Sequence, residues 1–315
     1  MLAMIIKLEP KILEVRYRDG STFKASDSFV RRWARREMNW AQRKATRAVQ
    51  KLPENWEDQI ERSHIRKAYL IKEYDICSPL YINSDQTQGV FAPGDKLTDA
   101  EIGAKQVSLV GAEEKHAFTI MVGVANDGTL LPFQAIYEGL SKRSTPSPES
   151  PHYNDVINAG MRLEFSGTQT YWSNLAMMKS YVNNILHPYF QSVRERLGLP
   201  PTQKALWQID VWSVHRSKEF RDWMSENYPT IILDYVPGGC TGLTQPCDVG
   251  IQRPFKLSLK RSYHESVVNE MLQQIDSNDP NVFFDTKIGK LRNGSVTWLW
   301  NAYRAVNKPE LVKKV

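Results

Sequence analysis

Cysteine is scarce in this chain of 315 residues. The three cysteines, Cys77, Cys240 and Cys247, form no C-x-x-C pair. An odd number of cysteines at these spacings matches neither a disulfide framework nor a structural zinc motif. The composition therefore favours a reducing compartment, the cytosol or the nucleus.

Long hydrophobic runs are also missing. The longest covers residues 117–125 (AFTIMVGVA), whereas a membrane helix needs about 20 apolar residues. Residues 1–6 are mostly apolar but lead directly into Lys7 and Glu9, with no basic n-region and no small-residue cleavage site. The sequence thus predicts neither a membrane span nor a signal peptide.

The chain does contain enough apolar residues for a folded core. Hydrophobic residues make up 41% of it, which excludes a wholly disordered protein. Its length allows about two domains. The charge balance of 41 basic and 35 acidic residues gives +6, and the pI is near 9.0. This excess is compatible with a nucleic-acid partner, although many other soluble proteins carry it.

Basic residues concentrate between positions 31 and 51, where Glu37 is the only acid. They are Arg31, Arg32, Arg35, Arg36, Arg43, Lys44, Arg47 and Lys51. Apolar and aromatic residues recur there near helical spacing, which predicts a helix capped by Ser26 or Asp27. Basic and aromatic side chains on one helix suit contact with DNA phosphates. A solvated helix face that packs through its tryptophans is the alternative.

From about residue 65 the pattern becomes an α/β order. Apolar runs predict strands at 80–83, 116–124, 130–137, 205–209 and 230–236, and Asn126-Asp127-Gly128 predicts a hairpin turn. Helical periodicity covers 172–196 and 219–226, and a long helix follows Pro246. This order predicts a mixed sheet with helices on both faces.

Three aspartates stand at the ends of predicted elements. Asp85 and Asp210 directly follow short apolar strands, and Asp248 falls in the first turn of the long helix. Sites in open α/β sheets form at the carboxyl ends of strands, and clustered carboxylates suit hard divalent cations. An aspartate at such a position is also a common turn or cap residue, so spacing alone does not select these three.

Four sequence blocks resemble the DDE superfamily endonucleases of the pogo/Tigger branch of the mariner superclass, which includes transposases and CENP-B-like relatives. The blocks are residues 80–89 (LYINSDQTQG), 122–132 (VGVANDGTLLP), 209–215 (IDVWSVH) and 236–256 (VPGGCTGLTQPCDVGIQRPFK). The last is the most specific, with its Q-P-x-D-x-G pattern. Residues 298–312 also resemble the tail of that domain.

The resemblance implies an RNase H-like fold and a catalytic, metal-binding triad of Asp85, Asp210 and Asp248. Two Mg²⁺ or Mn²⁺ ions would serve DNA strand cleavage and strand transfer. His215 and Gln245 match residues expected around the triad. His215 is expected to support the triad from beside it or to touch a phosphate, and Gln245 to position the helix start or to contact DNA. A structural role is the alternative for His215. The residues expected to hold double-stranded DNA are Arg253, Lys256, Lys260 and Arg261, with the basic residues of the 31–51 segment. A solvated helix face is the alternative for these four residues. The resemblance also implies a homodimer on paired DNA ends.

The domain prediction places a remnant of a CENP-B-type helix-turn-helix domain at 1–55 and the RNase H-like catalytic domain at 65–315. Two departures from the family pattern are Gln86, where glutamate is usual, and Val211, where asparagine is common. Neither departure removes a triad carboxylate. The partial helix-turn-helix segment predicts a truncated or fragmentary copy. The expected location is the nucleus. The alternatives are a non-enzymatic, transposon-derived DNA-binding protein and a relic without function.

Overall fold

The structure is a computed structural model that describes residues 10–24, 26–44, 52–91, 97–101, 117–277 and 284–314. Its strands are β1 (Trp40–Lys44), β2 (Tyr81–Val90), β3 (Leu97–Glu101), β4 (Ala117–Ala125), β5 (Gln134–Tyr137), β6 (Arg162–Phe165), β7 (Ala205–Ile209) and β8 (Ile231–Tyr235). Its α-helices are α1 (Asp27–Glu37), α2 (Trp56–Glu73), α3 (Tyr153–Asn158), α4 (Leu175–Tyr181), α5 (His187–Leu197), α6 (Ser213–Arg216), α7 (Lys218–Asn227), α8 (Thr241–Thr244), α9 (Gln252–Asp276), α10 (Ile288–Val306) and α11 (Pro309–Val312). Short 3₁₀ helices cover Pro10–Glu14, Ser78–Leu80 and Lys142–Ser144, and π-helical turns cover Val182–Leu186 and Cys247–Ile251.

The chain forms two compact units. Unit 1 consists of residues 1–50 and 94–113, and unit 2 consists of residues 51–93 and 114–315. Unit 1 therefore combines the amino-terminal part of the chain with a segment inserted between β2 and β4.

In unit 1 the helix predicted across the basic segment is shorter than expected. It begins as predicted, since Ser26 Oγ accepts a hydrogen bond from the Phe29 amide at 3.3 Å. It ends at Glu37, Asn39 has a left-handed backbone with φ of 54°, and the next residues form β1, which pairs with β3 in an antiparallel ladder. The prediction of a continuous helix over 31–51 was thus wrong for residues 38–44, because this long-range pairing overrides local periodicity. Residues 45–51 of that prediction lie outside the described residues.

Unit 2 is built on a six-stranded mixed sheet with the order β6-β5-β4-β2-β7-β8. Strands β2, β4 and β5 form an antiparallel meander, and β7 and β8 follow parallel to β2. Strand β6 pairs in parallel with β5 at the other edge. Strand β4 is buried along its whole length, as expected for an apolar run in the centre of a sheet.

Helices cover both faces of this sheet. One buried cluster joins the sheet to α9, α10 and α11 through residues such as Phe133, Phe255 and Trp298. The other joins it to α4, α5 and α7 through residues such as Trp207 and Phe220. The predicted mixed sheet with helices on both faces is confirmed, and the meander followed by two parallel strands is the RNase H-like arrangement.

The turn between β4 and β5 fixes the meander. Asp127 Oδ1 accepts a hydrogen bond from the Thr129 amide at 2.9 Å, and Gly128 has a φ of 98°, which favours glycine. The predicted hairpin is therefore confirmed, although β5 itself begins only at Gln134. In the part of the chain that the structure describes, no helix combines the length and hydrophobicity needed to cross a membrane.

Candidate active site

The register of β2 and β7 brings Asp85 and Asp210 to the same level. The two strands run parallel with Asn83 opposite Gln208, so the positions two residues further along each chain are also neighbours. Asp210 directly follows β7, as predicted. Asp85 does not follow a strand, because β2 continues to Val90 through its pairing with β4. It lies inside the central strand, with 8% of its surface exposed.

The third aspartate comes from the π-helical turn before α9, as the prediction of a first helical turn requires. The Asn83 side chain holds this turn against the sheet. Its Oδ1 accepts a hydrogen bond from the Cys247 amide at 3.0 Å, and its Nδ2 donates to the Gln208 carbonyl at 3.3 Å. One buried amide thus joins β2, the end of β7 and the turn that carries Asp248.

The three carboxylates form one electrostatic cluster. Burial raises the pKa of Asp85 well above its ordinary value, and the charges of Asp248 and Asp210 raise it further. Burial also raises the pKa of Asp248, against the hydrogen bond with Asp85 and the charge of Lys256, which lower it. Asp85 is the more deeply buried of the pair, and burial therefore opposes its ionisation more strongly.

A glutamine that the sequence analysis did not select completes the surroundings of Asp85. Gln252 Nε2 donates to Asp85 Oδ2. Its Oε1 accepts from Thr87 Oγ1 at 2.9 Å and from Lys256 Nζ at 3.2 Å. Gln252 therefore fixes the orientation of the Asp85 carboxylate from the first turn of α9. The relevant signal in the sequence was its position four residues after Asp248, one helical turn away.

His215 is buried and bonded to the second aspartate. Its Nδ1 lies 2.7 Å from Asp210 Oδ1 and 3.2 Å from the Asp210 carbonyl oxygen. Both of these atoms are acceptors, so Nδ1 carries the proton and donates. The ring packs edge-on against Trp212 and beside Phe220. His215 thus holds the Asp210 carboxylate in place.

Gln245 is fully buried just before the π-helical turn. Its Nε2 donates to the Ser84 carbonyl at 3.4 Å, and its backbone carbonyl accepts from the Val249 amide at 3.0 Å. These contacts fit the prediction that Gln245 positions the helix start. A direct contact with DNA does not fit its burial.

The donor chemistry of this cluster fits a hard divalent cation. Clustered carboxylates are the ligands whose charge such an ion neutralises. As they stand, however, no three His, Cys, Asp or Glu side chains among the described residues are placed to hold one ion. Hydrogen bonds to Gln252 and His215 engage Asp85 and Asp210, and 31% of the Asp210 side chain is exposed, which leaves it room to turn.

The predicted DNA-contacting residues differ in how far the structure describes them. On α9, the exposed residues are Arg253, Lys256, Lys260 and Arg261; on α1, they are Arg31, Arg32, Arg35 and Arg36. Arg36 forms an ion pair with Glu37, and the Lys256 side chain donates a hydrogen bond to Gln252. Arg43 and Lys44 belong to β1, but the structure describes only their backbone. Arg47 lies outside the described residues.

Comparison with solved structures finds chains of Mos1 transposase. A pre-cleavage Mos1 transpososome is 13% identical with a TM-score of 0.39, over 84% of this chain and 66% of that one. A Mos1 mariner paired-end complex with Mn is 13% identical with a TM-score of 0.37, over 89% and 70%. The catalytic domain of Mos1 mariner transposase is 12% identical with a TM-score of 0.36, over 82% and 97%.

The present chain thus spans about two thirds of the Mos1 chain in the transpososome. No curated protein sequence matches it significantly.

A protein-family comparison matches residues 115–313, well over half of the chain, to the DDE superfamily endonucleases. The matched residues include Asp210 and Asp248, the π-helical turn and all of α9 and α10. Asp85 precedes the match, and its place in the cluster follows from the strand register and the hydrogen bonds described above. The chain belongs to the DDE superfamily endonuclease family.

Proposed function

We propose that this chain is the catalytic part of a DNA transposase that cleaves DNA strands and joins them to new sites in a divalent-metal-dependent reaction. The observation that carries the proposal is the cluster of Asp85, Asp210 and Asp248 on the RNase H-like sheet of a DDE endonuclease. Two of the three lie within the family match, and the pKa of Asp85 responds to both of the others.

In this proposal Asp85, Asp210 and Asp248 would hold two Mg²⁺ or Mn²⁺ ions. Bound there, such ions stabilise the charge of the attacking and leaving oxygens in an in-line displacement at phosphorus. The protein's own part is positioning. His215 orients Asp210, Gln252 orients Asp85, and Asn83 holds the turn of Asp248 against the sheet.

The substrate in this proposal is double-stranded DNA. Exposed basic residues on α9, namely Arg253, Lys260 and Arg261, contact the DNA backbone next to the cluster. The exposed arginines of α1 provide a further DNA contact in unit 1, which we propose is of CENP-B type, as in the pogo/Tigger branch. A homodimer on paired DNA ends and a nuclear location complete the proposal.

The test is metal-dependent nicking of supercoiled plasmid by the purified chain. We expect nicking with Mg²⁺ or Mn²⁺ and at least a roughly 100-fold loss in Asp210→Ala, because a metal-binding carboxylate is removed. The matched control is Asp222→Ala, which removes an exposed aspartate of α7 that pairs with Lys218 in the same helix. It should nick like the unmodified protein.

Two results would overturn the proposal. Equal nicking by Asp210→Ala and the unmodified chain would show that the carboxylate cluster does not carry the reaction. No nicking, together with salt-sensitive DNA binding, would identify a non-enzymatic DNA-binding protein instead.

A further inference from the structure

A concave site lies away from the carboxylate cluster, at the end of β5. We call it the basic pocket and define it by Lys142, Arg143, Ser147 and Arg292, which are among the residues that line it. The loop after β5 provides the first three, and the first turns of α10 provide Arg292. Its volume is about 400 Å³, ample for a phosphate group and part of a sugar.

The charge of this pocket is not balanced by its own lining. Lys142 and Arg143 are exposed, and within the described part of the chain neither they nor Arg292 forms an ion pair with a carboxylate. The Arg292 guanidinium donates one hydrogen bond to the Glu138 carbonyl at 3.0 Å, which fixes it at the pocket wall. The lining contains no acidic residue, so three cations converge on one open space.

The amino-terminal turn of α10 adds to this positive field. The helix runs from Ile288 to Val306, its amino-terminal cap carries no side-chain hydrogen bond, and Gly289 lines the pocket. A Cβ added at Gly289 would meet nothing within 4 Å, so the turn is open to a ligand. Anions are favoured at such a helix start.

The basic pocket and the carboxylate cluster lie at the same edge of the sheet and on the same face. Strand β5 runs parallel to β2, with β4 between them. Ile136 of β5 and Gln88 of β2 both pair with Thr119 of β4, so they lie at the same level of the sheet. The end of β5 is therefore about 13 Å beyond the level of Asp85 and about 10 Å to the side, from standard strand spacings. Asp85 faces α9 through Gln252, and α10, which carries Arg292, packs on that same face.

We infer that the basic pocket binds a backbone phosphate of the DNA strand whose cleavage the carboxylate cluster performs. This inference rests on the proposed function. A strand that passes the cluster along the carboxyl edge reaches the end of β5 within a few nucleotides. The pocket then holds the DNA strand at a second position besides the carboxylate cluster. Contact at two positions fixes the direction in which the DNA strand crosses the sheet.

The experiment measures DNA affinity as a function of salt concentration for two variants of equal charge loss. The pocket variant is Lys142→Gln with Arg143→Gln, two exposed residues. The control is Lys72→Gln with Arg196→Gln, exposed residues in the last turns of α2 and α5. These turns precede the starts of β2 and β7, at the opposite edge of the sheet.

We expect the pocket variant to bind a labelled duplex more weakly and with a shallower salt dependence. Losing the contact with this one phosphate should lower the slope of log affinity against log salt by about 0.9. The control should keep the slope of the unmodified chain. Arg292→Lys should bind more tightly than Arg292→Gln, since it keeps the charge.

The outcomes separate this inference from the proposed function. If the unmodified chain neither binds nor nicks DNA, both fail. If it nicks DNA and the pocket variant has the same salt slope as the control, the pocket assignment alone fails. Tight binding of inorganic phosphate with unchanged DNA slopes would also overturn it, by showing that a free anion is the occupant. Melting temperatures of all variants show whether each is folded.

Discussion

At the scale of single residues, Asp85 is the group whose ionisation the fold opposes most directly. It is buried in the central strand beside two other carboxylates, which raises its pKa. A carboxyl group with a raised folded-state pKa stabilises the fold below its unfolded pKa. This contribution is lost as the pH rises through the folded-state pKa. In the absence of a divalent cation, the buried Asp85 carboxyl group therefore lowers the stability of the folded protein at neutral pH.

We predict that Asp85→Asn raises the melting temperature of the metal-free protein at neutral pH. The amide has the same shape, still accepts from Gln252 and donates to Asp248, but carries no charge. The rise should be a few degrees, since about 1 kcal/mol shifts the melting temperature of a domain of this size by roughly 2–4 °C. Thermal unfolding with and without Mg²⁺ measures it.

The same variant should lose both stabilisation by Mg²⁺ and nicking. Asp222→Asn, which neutralises an exposed aspartate, is the control and should leave all three properties unchanged. A lower melting temperature for metal-free Asp85→Asn would contradict the repulsion on which this prediction rests.

Gln252 is a positioning residue, and we predict that Gln252→Ala lowers nicking by about 10–100-fold, the range found for residues that orient metal ligands. The loss should shrink at higher Mn²⁺ concentration, because the defect lies in metal affinity. Gln273→Ala, on the exposed surface of the same helix, is the control. A loss of nicking that no Mn²⁺ concentration changes would argue against a positioning role.

The sequence allowed some of these residues to be predicted and not others. Asp210 and Asp248 stand where strand ends and the family pattern place them. Gln252 and Asn83 were missed because their roles depend on hydrogen bonds to residues more than 120 positions away. Local spacing places Gln252 one helical turn from Asp248, but it does not identify Asp85 as the partner of its side chain.

At the scale of elements, Gly123 sets how closely β4 approaches α4. It pairs with Ser84 across the β2–β4 ladder. A Cβ built on it would lie 2.5 Å from the Tyr181 hydroxyl and 3.1 Å from Ser84 Oγ. The Ser84 hydroxyl also receives the Trp207 indole N–H at 3.0 Å. The glycine thus makes room for a buried polar contact between the sheet and the helix layer.

We predict that Gly123→Ala destabilises the protein by about 1–3 kcal/mol, the usual effect of overpacking a core. In the Tyr181→Phe background, which lacks the clashing hydroxyl, the same change should destabilise less. Urea unfolding of the four proteins in this cycle gives the coupling energy.

Gly242→Ala is the matched control, because an added Cβ there meets nothing within 4 Å. It should alter the free energy of unfolding little. Strictly additive effects of Gly123→Ala and Tyr181→Phe would contradict the close approach.

Elements were predictable where the local pattern and the tertiary fold agree. The buried run of β4, the turn at Gly128 and the helical stretch ending at Leu197 all follow from periodicity and turn chemistry. The segment after Glu37 was not predictable, because its residues fit a helix as well as a strand. Its partner β3 lies more than 50 residues further along the chain.

At the scale of the whole molecule, the order of strands and helices along the sequence was enough to predict the mixed sheet, since alternating strands and helices have few compact arrangements. It did not reveal that β3, which lies between β2 and β4 in the chain, pairs with β1 of the amino-terminal segment and belongs to the same unit. The predicted boundary between residues 55 and 65 treats the chain as consecutive domains. The helix-turn-helix identity of unit 1 stays a prediction.

The antiparallel ladder of β1 and β3 has a consequence for cleavage of the chain itself. The polypeptide passes between the two units three times, near residues 50, 93 and 113. A single protease cut near residue 50 therefore does not free unit 1, because its inserted part remains covalently joined at both ends. The amino-terminal fragment stays bound through the β1–β3 ladder, and the cut should be visible only after denaturation. During synthesis, likewise, β2 cannot pair with β4 until the whole inserted segment has left the ribosome.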